Sequence, residues 1–126
     1  MAILAEESHV ASDLKTWLKY KVFNDESVDE TKSSEVDARH AEQVSLIVET
    51  GTGVSSGVVK LEGAATEGYT GTWVELGSLT LTAASKEYGV SVGIGTTVGL
   101  PVRVVRARIE TVIGGGTIDA YILVQN

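Results

Sequence analysis

The 126-residue sequence predicts an all-β fold, an antiparallel β-sandwich or a jelly-roll-like barrel, with an N-terminal arm that forms a short helix, an edge strand or both. All 14 glycines follow position 50, whereas 10 of the 17 acidic residues precede position 46. Beyond position 43 the chain is rich in Val, Ile and Thr, which favour strands, and its glycines favour tight turns. We therefore expect an acidic arm and loop over residues 1–43 and a β-sandwich domain over residues 44–126.

The arm carries two overlapping patterns. Apolar residues at i, i+4, i+7 and i+8 indicate one face of a helix, and they are Val10, Leu14, Trp17 and Leu18. The alternation of Leu18, Tyr20 and Val22 with lysines and Phe23 instead indicates an edge strand whose lysines face outward. A helix that ends near Leu18 and continues as a strand satisfies both patterns. Residues 24–35 are polar and acidic, so we expect a mobile loop or a segment that a partner orders.

The remainder of the chain predicts seven strands, separated by turn signals about every 8 to 15 residues. They cover residues 44–50, 57–63, 72–76, 79–83, 90–94, 102–113 and 117–124. Alternation gives a candidate core that includes Val44, Leu46, Val48, Val59, Leu61, Leu79, Leu81, Val90, Val92 and Ile94. In the third strand it places Val74 and Leu76 inward, with Trp73 and Glu75 outward. No amphipathic helix of adequate length separates the strands, which argues against an α/β fold.

The last two strands predict a β-hairpin closed by Gly115 and Gly116, in which Ile109 lies opposite Ile122. The alternative turn, one residue earlier, would place two acidic residues opposite each other. The outer side of this hairpin then carries a strip of Arg106, Arg108, Glu110, Asp119, Tyr121 and Leu123. Strips that mix apolar and charged groups in this way often contact another protein. We therefore expect a subunit interface formed by four residues of the strip: Arg106, Arg108, Tyr121 and Leu123.

Residue types that support catalysis or cofactor binding are scarce. The chain has no cysteine, and its two histidines, His9 and His40, lie in no nucleophile or metal-binding motif. The acidic residues near position 30 lack the order of an EF-hand loop, and the glycine clusters lack the Lys-Ser/Thr of a phosphate-binding loop. We therefore expect no enzyme activity, no metal and no cofactor.

The charge and hydropathy of the chain exclude two further classes of partner. With 10 Lys and Arg against 17 Asp and Glu, the formal net charge is -7, and the cations are dispersed. Because nucleic-acid binding needs clustered cations, we expect no DNA or RNA partner. No window approaches the roughly 18 apolar residues of a membrane span, and the N-terminus lacks the basic segment of a signal peptide. We expect neither a membrane segment nor a secretion signal.

Aromatic side chains raise one alternative function. Tyr69, Trp73 and Tyr88 could provide a stacking surface of the kind that carbohydrate-binding β-sandwich modules use. Aromatic residues make up only 6% of the sequence, however, and an outward Trp on a strand more often packs on an arm or a neighbouring subunit. Glycan binding stays an alternative.

Two regions resemble phage virion proteins. Residues 12–20 (SDLKTWLKY) and the acidic run after them are similar to the entry arm of some tailed-phage head-decoration proteins. The succession of residues 57–64 (GVVKLEGA), 71–76 (GTWVEL), 104–109 (VVRARI) and 115–122 (GGTIDAYI) resembles small β-sandwich virion proteins of phages.

This resemblance implies a capsid decoration, or cement, protein without catalytic activity. Such a protein lies on the outer capsid surface of the virion and binds the major capsid protein in many copies, often as trimers. A flexible arm can add a strand to an exposed edge of its partner. The arm residues that we expect to contact the capsid are Leu14, Trp17, Leu18, Tyr20 and Phe23. A structural module of the phage tail, neck or fibre is the alternative within the same class.

Overall fold

The computed structural model describes residues 4–9, 16–94 and 101–125, with the backbone alone for residues 4–9 and 16. Within these residues the chain forms nine strands and no helix. Their bounds are β1 Leu4–His9, β2 Thr16–Glu26, β3 Val36–Asp37, β4 Gln43–Thr50, β5 Ser56–Ala64, β6 Val74–Thr80, β7 Glu87–Gly93, β8 Val104–Gly114 and β9 Ile118–Gln125.

The strands form two antiparallel sheets that pack face to face as a β-sandwich. The five-stranded sheet has the order β1-β2-β9-β4-β7, and the four-stranded sheet has the order β3-β8-β5-β6. Each sheet has one apolar face, and packing the two faces together removes both from water. The predicted all-β sandwich is confirmed.

Apolar side chains that alternate along the strands fill the space between the sheets. In β4, Val44, Leu46 and Val48 are completely buried, as predicted. Other internal strands contribute similar sets, which are Ile118, Ala120, Ile122 and Val124 from β9, Val105, Ala107 and Ile109 from β8, and Val59 and Leu61 from β5. Complete burial of a Val, Leu or Ile side chain contributes about 1.5–3 kcal/mol, so this core is the main stabilising element.

A single strand, β6, replaces the third and fourth predicted strands. Its register with β5 shifts at Leu76, which has no partner in the ladder and forms a bulge. A bulge reverses the alternation of side chains beyond it. Leu76 therefore packs against the core, as does Leu79 on the other side of the shift, and both were expected inward. Val74 is 38% exposed although it was expected inward, and Trp73 is only 5% exposed because Arg106 of the outer face lies over its ring.

The predicted hairpin of β8 and β9 is wrong, because these strands belong to different sheets. Ile109 and Ile122 are both completely buried, but they face the core from opposite sheets instead of pairing side by side. The chain crosses between the sheets at Gly115, whose φ is +87°. A Cβ at Gly115 would collide with the carbonyl oxygen of Gly53 in the adjacent turn. Both the positive φ and the close approach require glycine.

The acidic segment after β2 lies along β8, whereas a mobile or partner-ordered loop was expected. The backbone N–H of Glu30 donates to the carbonyl of Ile109 at 2.7 Å, and that of Ser33 donates to Ala107 at 2.8 Å. Val36, in β3, is 1% exposed. The polar composition does not reveal this placement, because backbone groups of β8 provide most of the anchors.

Residues 16–18 lie in a strand instead of the predicted helix, and β2 is an internal strand instead of an edge strand. It pairs with β1 on one side and with β9 on the other. Phe23 is 4% exposed, and Tyr20 packs against the core. Residues 16–26 therefore belong to the sandwich. The predicted start of the helix, which includes Val10 and Leu14, lies outside the described residues.

Candidate functional site

The outer face of the five-stranded sheet carries a group of apolar and basic side chains around β9. Alternation directs Tyr121 and Leu123 away from the core. Tyr121 lies between Lys21 of β2 and Ile47 of β4, and Leu123 lies between Lys19 and a serine of β4. We use the name aromatic platform for six half-buried residues of this face: Trp17, Lys19, Lys21, Ile47, Tyr121 and Leu123.

The two lysines of the aromatic platform are held near the ring of Tyr121. The Nζ atom of Lys19 lies 4.4 Å from the ring centroid, and that of Lys21 lies 5.8 Å from it. Lys21 also pairs with Asp119 at 3.5 Å. Cation–π contacts of this kind contribute about 0.5–1 kcal/mol at exposed sites. They fix two positive charges beside an apolar surface on a protein whose net charge is -7.

On the side of β7, small and neutral polar residues border the aromatic platform, whereas Asp119 and Glu49 lie beyond Tyr121 and Ile47. Ser45 and Ser91 share a hydrogen bond of 2.6 Å between their hydroxyl groups. Beyond Ser45, β7 presents Gly89 and Gly93 on the same face, so no side chain projects from the sheet at these two positions. At the far end Trp17 lies opposite Gln125. The result is a flat surface of aliphatic and aromatic groups that a partner can approach from one side.

The outer face of the four-stranded sheet is ionic. The carboxylate of Glu62 accepts hydrogen bonds from Nε of Arg106 at 3.0 Å and from Nε of Arg108 at 2.8 Å. Glu62 is 5% exposed, although it lies on the side away from the main core. Arg108 also donates to Glu30 at 2.9 Å. Hydrogen bonding to Glu62 raises the pKa of Arg108 above its ordinary value.

A second ionic group lies next to Glu62 on the same face. The Nζ atom of Lys60 lies 2.6 Å from Glu75 and 3.0 Å from Glu110. The hydrogen bond to Glu75, followed by that to Glu110, raises the pKa of Lys60 above its ordinary value. The charged groups of this face therefore pair with one another, which leaves it less suited than the aromatic platform to an apolar partner.

Trp73 is covered by its neighbours and forms no exposed stacking surface. It packs with Ala64 and Val104, and the guanidinium carbon of Arg106 lies 4.0 Å from its ring centroid. Its indole N–H donates to the carbonyl of Tyr69 at 2.9 Å. The hydroxyl of Tyr88, the third residue of the predicted glycan surface, accepts the backbone N–H groups of Thr82 and Ala83 at 3.0 Å each. The three aromatic residues do not share an exposed face.

The residues that were predicted to contact the capsid lie on both sides of the five-stranded sheet. Trp17 lies on the aromatic platform, whereas Leu18 lies opposite the buried Val124 on the inner side of the sheet. Tyr20 and Phe23 also face inward. Leu14 lies outside the described residues. Of the predicted arm contacts that the structure describes, Trp17 is thus the one that faces outward on the aromatic platform.

The predicted subunit interface does not form one surface. Arg106 and Arg108 lie on the four-stranded sheet, whereas Tyr121 and Leu123 lie on the five-stranded sheet, with the core between them. The correction follows from the crossing of the chain at Gly115. Sequence reasoning also missed Ile47 as a neighbour of Tyr121, because the pairing of β4 with β9 joins distant parts of the chain. The alternation of residues 17–23 does predict that Lys19 and Lys21 face outward.

A groove of about 380 Å³ lies at one end of the sandwich. Its lining includes Asp37 and Arg39, which form an exposed ion pair of 3.0 Å. Hydrogen bonds from Arg39 lower the pKa of the Asp37 carboxyl.

Within the described part of the chain, no three Asp, Glu or His side chains are grouped to hold a metal ion. Across the same ranges, no helix is long and apolar enough to cross a membrane.

Together these features define a β-sandwich domain in which one outer face carries the aromatic platform and the other carries paired charges. The sequence matches no protein-family model and no curated protein. Solved structures share its fold at low identity. The SPBc2 prophage-derived protein YomS has a TM-score of 0.60 at 10% identity, and the match covers 100% of this chain and 98% of that chain.

Two adhesin domains are also similar in fold. The K2 cleaved adhesin domain of Lys-gingipain has a TM-score of 0.59 at 10% identity, with 98% of this chain and 99% of that chain covered. The K1 cleaved adhesin domain of Lys-gingipain from Porphyromonas gingivalis has a TM-score of 0.54 at 10% identity, with 100% and 98% covered. At these identities the likeness shows a shared β-sandwich fold.

Proposed function

We propose that this chain is a structural virion protein, a capsid decoration or cement protein that binds the major capsid protein on the outer surface of the head. The observation that carries the proposal is the aromatic platform, where Trp17, Tyr121 and Leu123 lie half-buried beside two lysines. The proposal assigns the chain no catalytic activity and no cofactor.

The chemistry of the aromatic platform supports a protein partner. Aromatic residues are enriched at the centre of protein interfaces, and Trp17 and Tyr121 lie together on this face. Lys19, which lies over the ring of Tyr121, can pair with a carboxylate of a partner at this face. On a lattice of identical sites, an interface of moderate affinity is sufficient when linked copies bind together.

The comparison with YomS supports a phage origin, because that β-sandwich protein is derived from a prophage. It is consistent with the resemblance of residues 57–64 and 115–122 to phage virion proteins.

The decisive experiment is to count this polypeptide against the major capsid protein in purified virions by quantitative mass spectrometry. A simple stoichiometric ratio to the capsid protein is the expected result. A handful of copies per particle would overturn the capsid proposal in favour of a tail, neck or fibre module. Absence from the particle would overturn a virion role altogether.

A pair of variants tests whether the aromatic platform is the binding surface. Leu123→Asp places a carboxylate at its centre and should weaken binding to undecorated heads at least about tenfold, as loss of a central apolar contact does. Val112→Asp is the matched control, because Val112 is 52% exposed on the four-stranded sheet. Equal binding by both variants in a sedimentation assay would exclude the platform.

A further inference from the structure

The β7 edge of the five-stranded sheet is an open edge. β7 pairs with β4 over seven consecutive positions without a register shift, and the described strand order ends there. Its neighbour across the sandwich, β6, belongs to the other sheet. Among the described residues, therefore, no strand hydrogen-bonds to the outer side of β7.

The direction of the backbone groups along β7 follows from its hydrogen bonds to β4. The N–H of Thr50 donates to the carbonyl of Lys86, and the N–H of Ile94 donates to the carbonyl of Glu42, both at 2.9 Å. In an antiparallel ladder, residues alternate between hydrogen-bonded and non-hydrogen-bonded pairs. The even-numbered residues of β7 therefore bond to β4. The N–H and C=O groups of the odd-numbered residues point to the open edge, and these are Glu87, Gly89, Ser91 and Gly93.

The side chains on this edge leave it accessible to another strand. Three of the four outward-bonding residues are Gly or Ser, and β7 contains no lysine, no proline and no bulge. Natural sheets normally protect an open edge with those features or with other charged side chains, and the charged residue of β7 is Glu87, at its first position. At the other end of the same sheet, the sequence of β1 carries adjacent acidic residues, Glu6 and Glu7, which disfavour pairing with an acidic protein.

We propose that two copies of this chain pair along β7, antiparallel and related by a twofold axis at Val90, to form one continuous ten-stranded sheet. In this register Gly89 pairs with Ser91 of the second copy, and Glu87 pairs with Gly93 of the second copy. Both pairs join odd-numbered residues, whose backbone groups are the free ones. Glu87 faces a glycine and not another carboxylate, so no like charges lie opposite each other.

A second copy is the favoured occupant because the free backbone groups of β7 in one copy can bond to the same groups of β7 in another copy related by a twofold axis. Every donor that one copy presents finds an acceptor on the same strand of the other copy. The aromatic platform lies on the outer face of this same sheet, so pairing places two platforms on one side of the continuous sheet. Two linked binding surfaces raise the avidity for a lattice without any new contact to it.

The mass of the protein in solution tests the pairing. Sedimentation equilibrium over a wide range of concentrations should give a reversible association to twice the 13.3 kDa of the chain. A single-chain mass at all concentrations would overturn the proposal. So would a trimer, which the resemblance to decoration proteins implies.

Proline substitution tests the edge. Ser91→Pro removes an N–H that points away from β4, and by symmetry two intermolecular hydrogen bonds, so dimerisation should weaken at least about tenfold. Ser78→Pro is the matched control, because Ser78 has the same position relative to β5 on the edge of the other sheet. Equal association by the two variants would exclude β7 as the contact.

Charge exchange tests the register without altering any backbone bond. Gly93→Glu places a carboxylate opposite Glu87 of the second copy and should weaken the dimer. Adding Glu87→Lys to that variant should restore it, because the two positions then carry opposite charges. A dimer that Gly93→Glu leaves unchanged would overturn the Val90-centred register. Amide exchange provides an independent readout: Gly89 and Ser91 should become protected as the concentration rises, whereas Val90 and Val92 should be protected throughout.

Discussion

At the scale of single residues, Glu62 contributes most to the ionic face. Its carboxylate is 5% exposed and accepts hydrogen bonds from Arg106 and Arg108. Removing the charge of Glu62 leaves Arg106 largely buried without that carboxylate and leaves Arg108 with Glu30 alone. We expect Glu62→Gln to lower the free energy of unfolding by about 3 kcal/mol, measured by urea denaturation.

Glu110→Gln is the matched control for that prediction. Glu110 pairs with Lys60 at 3.0 Å, but its side chain is 39% exposed. Exposed ion pairs contribute about 0–1 kcal/mol, so this variant should retain nearly the full stability. A similar decrease in the free energy of unfolding in both variants would show that the burial of Glu62 does not increase its contribution to stability.

Lys60 predicts how stability depends on alkaline pH. Hydrogen bonds to Glu75 and Glu110 raise its pKa above the ordinary 10.5. A group whose pKa is raised by folding stabilises the protein fully below its unfolded pKa, and that contribution is lost as the pH rises through the higher folded value. We expect thermal stability to fall above about pH 10.5 more steeply in the wild type than in Lys60→Met. The exposed Lys32→Met should behave as the wild type.

At the scale of elements, β2 is a segment that was predicted as an arm and that forms an internal strand of the sandwich. It separates β1 from β9 and contributes Phe23 to the core. A chain that lacks residues 1–26 would expose the edge of β9 and lose that side chain, so we expect it not to fold cooperatively. A chain that lacks residues 1–9 loses β1, which pairs with β2 alone, and should fold.

Circular dichroism during thermal unfolding distinguishes the two truncations. A cooperative transition in the longer truncation would show that β2 is a dispensable arm. Deletion of β2 cannot separate binding from folding, because it removes Trp17 and the lysines of the aromatic platform together with part of the sandwich. Point variants such as Leu123→Asp keep the fold and test the surface directly.

The elements that sequence reasoning predicted well are those in which local alternation and tertiary burial agree. In β4, the inward residues Val44, Leu46 and Val48 are all buried. Prediction failed for Val74, which is 38% exposed in β6, and for the β8–β9 hairpin. Two strands joined by a glycine turn have the same local pattern whether they pair in one sheet or cross to another.

At the scale of the whole molecule, the two outer faces differ in how their charges are used. On the four-stranded sheet, basic groups pair with carboxylates of the same face. On the five-stranded sheet, Lys19 and Lys21 lie over an aromatic ring beside apolar residues. A partner that offers apolar side chains therefore fits the second face better, and the open edge of β7 borders that same face.

By itself, the sequence determined the fold class, the phase of most strands and the scarcity of catalytic residue types, because these depend on local composition and alternation. Only the tertiary structure decided that Arg106 and Tyr121 lie on opposite faces, that Trp73 is covered by Arg106, and that Ile47 lies beside Tyr121. Those relations depend on which distant strands pair. Strand pairing is set by the packing of the whole core, and no window of the sequence contains it.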